Sequence, residues 1–241
     1  MPDKSLLKFS KETVKSVLKS GASALGHYSY FSRWQKSLDD TSNSVVDKQP
    51  WLTFPVIDLL NKKINASSKV FEYGGGGSTL FFLERAGEIV TVEHDKDWFV
   101  KLDELVTGDK RNRWKGNFIA PEPGLDSASP DPSNPADYAS SDDLFKKSTF
   151  KQYAKKIDEY NDNYFDVVLV DGRSRPSCMA HSLPKIKPGG WLVIDNSDRD
   201  YYFTHLADKL SQQFNVIYNK TAPCPYLNFF SQTTVLQKNE I

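Results

Sequence analysis

Val70-Phe71-Glu72-Tyr73-Gly74-Gly75-Gly76-Gly77-Ser78-Thr79 is the stretch that decides the fold. Lys69 to Tyr73 reads as a short buried strand, and it passes directly into four glycines. Ser78 to Arg85 then reads as a helix. Glycine tolerates positive φ and lets another group approach the backbone closely. The first turn of a helix leaves N–H groups free for an anion or a carboxylate. Strand, glycine turn and helix together suit nucleotide binding at the carboxyl edge of a sheet.

The pattern extends in both directions. Upstream, Trp51, Phe54, Ile57 and Leu60 recur at helical spacing behind Pro50, which predicts a helix starting there. Downstream, Ile89–Glu93 is a second strand, and Trp98, Leu102 and Leu105 mark a helix. Further strands are expected at Asn117–Ala120, Asp166–Val170 and Trp191–Ile194. A helix is expected over Pro176–Ile186, a turn at Pro188-Gly189-Gly190, and a helix near 201–213. Two late strands, Asn215–Tyr218 and Thr233–Leu236, have no helix between them and so should pair antiparallel. Their connection holds Pro223, Cys224 and Pro225 and reads as an irregular loop. Alternating strands and helices predict an α/β, Rossmann-like doubly wound sheet in a single domain, mostly parallel and closed by the C-terminal antiparallel pair.

Two segments stand outside this alternation. Residues 1–45 form a basic N-terminal extension; between Met1 and Lys36, Lys4, Lys8, Lys11, Lys15, Lys19, Arg33 and Lys36 are opposed only by Asp3 and Glu12. Val14, Val17 and Leu18 predict a helix near 10–20, broken by Gly21 and Gly26. It reads as a solvated leader helix, the alternative being a segment that rests on a membrane surface or a partner. The remainder, 46–241, is the α/β domain. It carries a Pro/Ser/Asp-rich insertion at 121–149, expected as a mobile flap or a disordered loop.

Bulk properties set the outer limits. Thirty-one basic and 31 acidic residues give a net charge of zero, which argues against a dedicated nucleic-acid binder. No apolar run approaches the roughly 18–20 residues of a membrane span. No signal peptide is evident. Two cysteines, Cys178 and Cys224, make no disulfide framework and read as packing or loop residues. These features predict a soluble, cytoplasmic protein.

Glu93 ends the second strand about twenty residues after the glycine turn, where a carboxylate accepts both hydroxyls of an adenosine ribose. Asp95 is a neighbour able to share that role. The spacing serves dinucleotides and S-adenosylmethionine (SAM) alike. Two residues separate them. The third glycine of the dinucleotide fingerprint is Thr79 here. Glu72, before the first glycine, would repel a pyrophosphate but favour the ammonium and sulfonium of SAM. On these residues the sequence resembles the class I SAM-dependent methyltransferases. Glu72, Gly74 and Gly76 match an acidic residue followed by alternating glycines, and Glu93 matches the ribose-binding acid. With Gly75 and Ser78 these are the expected cofactor-binding residues. The resemblance covers roughly residues 50–237.

Asp171 and the pair Asp195-Asn196 each end an apolar strand, at the same sheet edge as the glycines. They offer three oxygen ligands to a hard cation such as Mg2+ or another divalent ion. The arrangement is similar to small metal-dependent O-methyltransferases of the catechol and caffeoyl-coenzyme A type. That resemblance implies a metal held by Asp171, Asp195 and Asn196, and methyl transfer to an oxygen of a small molecule or sugar. Those families carry a lysine after the first Asp, where Arg173 and Arg175 stand here. Arginine is no base. It suits clamping a carboxylate or phosphate, which points to an acidic acceptor. Asp171, Arg173 and Asp195 are therefore the expected catalytic residues. His94 is expected to point away from Glu93, and His181 and His205 to be structural or solvated. Tyr201, Tyr202, Phe203, Tyr226, Phe229 and Phe230 either pack or line an acceptor platform. The competing readings are an NAD-dependent oxidoreductase and a non-catalytic SAM-binding scaffold.

Overall fold

The computed structural model describes residues 4–125 and 127–240. In chain order the helices are α1 (Lys4–Ser20), α2 (Phe31–Ser37), α3 (Phe54–Lys63), α4 (Gly77–Leu83), α5 (Lys96–Leu105), α6 (Lys151–Lys155), α7 (Arg175–Ser182) and α8 (Ala207–Gln213). The strands are β1 (Lys69–Tyr73), β2 (Glu88–Glu93), β3 (Trp114–Phe118), β4 (Glu122–Pro123), β5 (Ser148–Thr149), β6 (Phe165–Val170), β7 (Ile186–Asp195), β8 (Phe214–Ala222) and β9 (Ser231–Lys238). Seven of them form one sheet in the order β3-β2-β1-β6-β7-β9-β8. The first five run parallel, β9 is antiparallel to β7, and β8 is antiparallel to β9. Strand order reverses between β1 and β6, so a crevice opens there at the carboxyl ends of the strands.

Both faces of the sheet are covered, which is why the central strands are apolar runs rather than alternating patterns. Val70, Ile89, Val167, Leu169 and Val193 pack with Phe54, Ile57 and Leu60 of α3 and with Phe81 and Phe82 of α4. Phe71, Tyr73, Val90, Val168 and Ile194 pack on the other face with Tyr153, Met179 and Leu210.

Several boundaries differ from the expected ones. The helix expected at Pro50 begins after Thr53, with Pro55 in its first turn, because the Phe54 N–H is spent on the Pro223 carbonyl at 2.9 Å. The third strand starts at Trp114, whose buried indole N–H donates to the Thr91 hydroxyl at 2.8 Å. Pro188-Gly189-Gly190 does not end an element. It is a bulge inside β7, between the Phe165–Ile186 and Val167–Trp191 pairs. The expected 201–213 helix is a short 3-10 turn, Asp200–Tyr202, followed by α8.

The N-terminal extension is not a solvated leader. Phe9 and Trp34 are completely buried and belong to the same core as the sheet. The Phe9 ring meets Tyr28, Phe31, Trp34 and Phe230 at centroid distances of 5.0–5.7 Å. Burying an aromatic side chain of this kind contributes about 1.5–3 kcal/mol. Trp34 Nε1 donates to the Leu227 carbonyl at 2.8 Å, and His27 Nε2 lies 3.0 Å from the Thr221 carbonyl. The buried face of α1 is Phe9, Thr13 and Ser16, while Val14 and Leu18 point outward. The larger Phe9 decides which way the helix rolls.

The 121–149 insertion is an arch with tied feet. β4 pairs with β5 at its base, and the Phe150 N–H donates to the Tyr138 carbonyl at 2.9 Å. Its crest is held by Asp142 on Arg173 (2.8 Å), Tyr138 Oη on His181 Nε2 (3.1 Å) and Tyr201 Oη on Ser141 Oγ (2.9 Å). Asp126 lies outside the described residues.

Candidate functional site

The glycine turn sits where β1 ends beside β6. Gly74 has φ of 89°, and a Cβ there would come within 3.1 Å of the Asp171 carbonyl group. Only glycine meets both conditions. A Cβ at Gly77 would collide with the carbonyls of Ser44 and Gln49, which lie over the start of α4. The Gly75 N–H donates to Glu93 Oε2 at 3.1 Å, and the Gly76 N–H to Thr79 Oγ1 at 3.0 Å.

The two glutamates have separate duties. Glu72, expected as a cofactor contact, is fully buried beneath the glycine turn, and the residues lining the cleft do not include it. Period-two alternation turns it to the α4 face with Val70. There it accepts from Ser78 Oγ and Thr91 Oγ1, each at 2.7 Å, and from Thr79 Oγ1. Burial pushes its carboxyl up to about 7, against those three hydroxyls, which favour the charge. Glu72 thus binds the glycine turn to the sheet. Glu93 does line the cleft, with Gly74, Gly75, Gly76 and Ser78. Its Oε1 accepts from the N–H groups of His94 (2.6 Å) and Asp95 (2.8 Å). His94 is in the cleft too, with Nδ1 2.8 Å from Glu93 Oε1, because β2 ends at Glu93 and strand alternation stops. Asp95 is the N-cap of α5, accepting from the Trp98 N–H at 2.9 Å.

Asp171, Asp195 and Asn196 converge as expected, but on a side chain of the chain itself. Arg175 is 8% exposed and sends its guanidinium between them. Nη2 lies 3.2 Å from Asp171 Oδ1 and 3.2 Å from Asn196 Oδ1, Nε donates to the Gly172 carbonyl at 3.1 Å, and Nη1 donates to the Asp195 carbonyl. Asp195 Oδ1 accepts from Thr233 Oγ1 at 3.0 Å. Burial, then the Asp195 charge, holds the Asp171 carboxyl well above the usual range, with Arg175 opposing. Burial raises Asp195 to about 6. A divalent ion does not fit this set, since a buried cation already fills the space between its donors. Among the described residues there is also no group of three or more His, Cys, Asp or Glu side chains arranged to hold a metal. The acidic-acceptor expectation loses both its arginines: Arg175 is spent here, and Arg173 pairs with Asp142.

Two hollows meet at this edge. The first, about 470 Å³, lies over the glycine turn and Glu93. The second, about 450 Å³, is lined by Asp195, Asn196, Asp198, Arg199, Phe229 and Phe230 among others. Trp51 and Asp171 line both. By spacing alone Trp51 and Trp98 are helix markers. Trp98 lines the first hollow and donates its indole N–H to the Gly75 carbonyl at 2.7 Å. Nothing in the sequence separates such a tryptophan from a core one.

No family model matches the sequence, and no curated protein is similar to it. Solved structures are. One is a candidate O-methyltransferase from Klebsiella pneumoniae, 13% identical, covering 87% of each chain with a TM-score of 0.54. Another is a candidate methyltransferase from Streptococcus mutans in complex with SAH, 12% identical over 75% of this chain and 94% of that one, TM-score 0.50. A third is an rRNA methylase from Streptococcus thermophilus, 10% identical over 76% and 93%, TM-score 0.50. The chain has the class I methyltransferase fold. In this methyltransferase fold the glycine turn and the β1–β6 crevice coincide, so the first hollow sits at the topological switch point. No helix among the described residues is long and apolar enough to cross a membrane.

Proposed function

We propose that the chain binds SAM in the first hollow and transfers its methyl group to an oxygen of a small-molecule or sugar acceptor in the second. The observation that carries this reading is the pair of hollows sharing Trp51 and Asp171. Two reactants held either side of one boundary react as if at very high local concentration, and alignment is most of what such a transfer requires. Bound SAM supplies a methyl group already activated by the sulfonium. Glu93 is the group for the ribose hydroxyls, and Trp98 and the glycine backbone shape the rest of the cleft. Asp171, a quarter of its side chain exposed, is the group for the acceptor's proton. Its raised affinity for protons makes it a better base than an ordinary carboxylate. Arg175 holds Asp171 and the Asp195 loop in position and supplies the positive charge that a metal supplies elsewhere.

A nucleic-acid acceptor fits less well. Asp171, Asp195 and Asp198 line the second hollow, and Arg199 is its one cation without a carboxylate partner among the described residues. Phosphates would meet net repulsion there. Calorimetric titration with SAM tests the assignment. Glu93→Ala removes a cleft charge and leaves three N–H groups without their acceptor, at about 1–3 kcal/mol. Binding should weaken by roughly 10–100-fold. Equal binding by the variant, or no heat with the native chain, overturns the assignment.

A further inference from the structure

Helix α1 has an outer face that none of the described residues covers. While Phe9, Thr13 and Ser16 face the core, Leu7, Val14 and Leu18 are 58%, 57% and 84% exposed. At the α-helical rotation of about 100° per residue, these three project within about 40° of one another. Lys8, Lys11 and Lys15 fill the adjoining sector, all exposed. Lys15 pairs with Glu12 at 2.5 Å, whereas Lys8 and Lys11 have no acidic partner among the described residues. A chain of zero net charge has therefore gathered lysines beside an aliphatic row on one solvent-facing side.

We propose that α1 is a docking helix for an anionic lipid surface. Leu7, Val14 and Leu18 enter the acyl boundary, and Lys8, Lys11 and Lys15 meet the headgroups. Charge complementarity selects this partner. A second copy of the chain would set lysine row against lysine row. RNA would use the lysines and gain nothing from the aliphatic row. The inner face of α1 is anchored in the core by Phe9, so docking the helix docks the whole domain. Lys15 and Lys19 also line a small hollow with Asp198 and Phe230, two residues of the second large hollow. The lipid surface thus lies beside the acceptor side of the molecule. This inference concerns where the protein sits and holds whatever reaction it performs.

The full chain should be sedimented with vesicles of phosphatidylcholine alone and of phosphatidylcholine mixed with phosphatidylglycerol, at low and high salt, with no methyl donor present. The protein should pellet with the mixed vesicles only, and less at high salt. The triple change Leu7→Ser, Val14→Ser, Leu18→Ser should weaken pelleting by roughly tenfold or more. Lys8→Glu with Lys11→Glu should do the same. All five positions are exposed, and the native chain's own lipid dependence decides the matter if a variant fails to fold. Absence of pelleting, or equal pelleting with neutral vesicles, overturns the proposal. So does single-stranded RNA binding that the lysine changes abolish and the serine changes leave intact, without vesicle binding.

Discussion

The two hollows treat buried carboxylates in opposite ways. Around the glycine turn, Glu72 and Glu93 are held by hydroxyl and backbone N–H donors, with His94 beside Glu93 and, among the described residues, no lysine or arginine bonded to either. Around the second hollow, the buried guanidinium of Arg175 bonds the Asp171 carboxylate and the main-chain carbonyl of Asp195. In the first arrangement only Glu93 of the pair lines the hollow. The second sets the Arg175 guanidinium against the Asp171 carboxylate from within the chain. One sheet edge thus holds two electrostatic environments, separated by little more than Trp51 and Asp171.

The sharpest way to break the contrast is to remove the internal cation. Arg175→Met should lower stability by about 3–5 kcal/mol, since a buried pair that loses one partner strands the other. Urea unfolding at neutral pH measures this. The stranded Asp171 and Asp195 would then titrate above their unfolded values, so the deficit should shrink as pH falls and both take up protons. A variant as stable as the native chain at neutral pH would dissolve the distinction between the hollows.

Glu72 gives a somewhat smaller effect on the other side. Its carboxyl titrates near 7 in the folded chain against an ordinary value of 4.5. The folded state holds that proton more firmly, so its contribution is complete below about 4.5 and is lost as pH rises through 7. The span corresponds to about 3 kcal/mol. Asp195, raised to about 6, adds a slope of the same sign. Thermal melts across this window should therefore show a shallower pH dependence in Glu72→Gln than in the native chain. An unchanged slope would assign it elsewhere.

The smallest effect expected is none at all. With Arg175 between the donors, EDTA should leave methyl transfer unchanged, and added Mg2+ should not raise it. Activity lost on chelation and restored by Mg2+ would mean that the guanidinium moves aside for an ion.

The parts of the molecule that sequence made visible are those governed by local chemistry. β1 and its glycine turn are legible because positive φ and close backbone approach demand glycine at Gly74 whatever surrounds it. Glu93, Asp171 and Asp195 are legible because each closes an apolar run, and strand ends share an edge. The rest depends on what folds against what. Arg175 reads as a substrate clamp until Asp195, twenty residues on, is brought onto its Nη1. Helix α1 has two candidate buried faces, and only the presence of Phe230 and Trp34 beside Phe9 selects between them. The setting of Glu72 is legible too, since alternation from Val70 turns it to the α4 face.

The Trp34 indole on the Leu227 carbonyl joins residues 193 positions apart. His27 and Thr221 make a second such link. Contacts this distant close late, because loop entropy is spent before they return anything. During synthesis Phe9 and Trp34 therefore wait, without Phe230 and the Leu227 carbonyl, until residues 227–230 have been made. The wall of the second hollow that holds Phe229 and Phe230 is complete only then, and the aromatic arm needs shelter in the meantime.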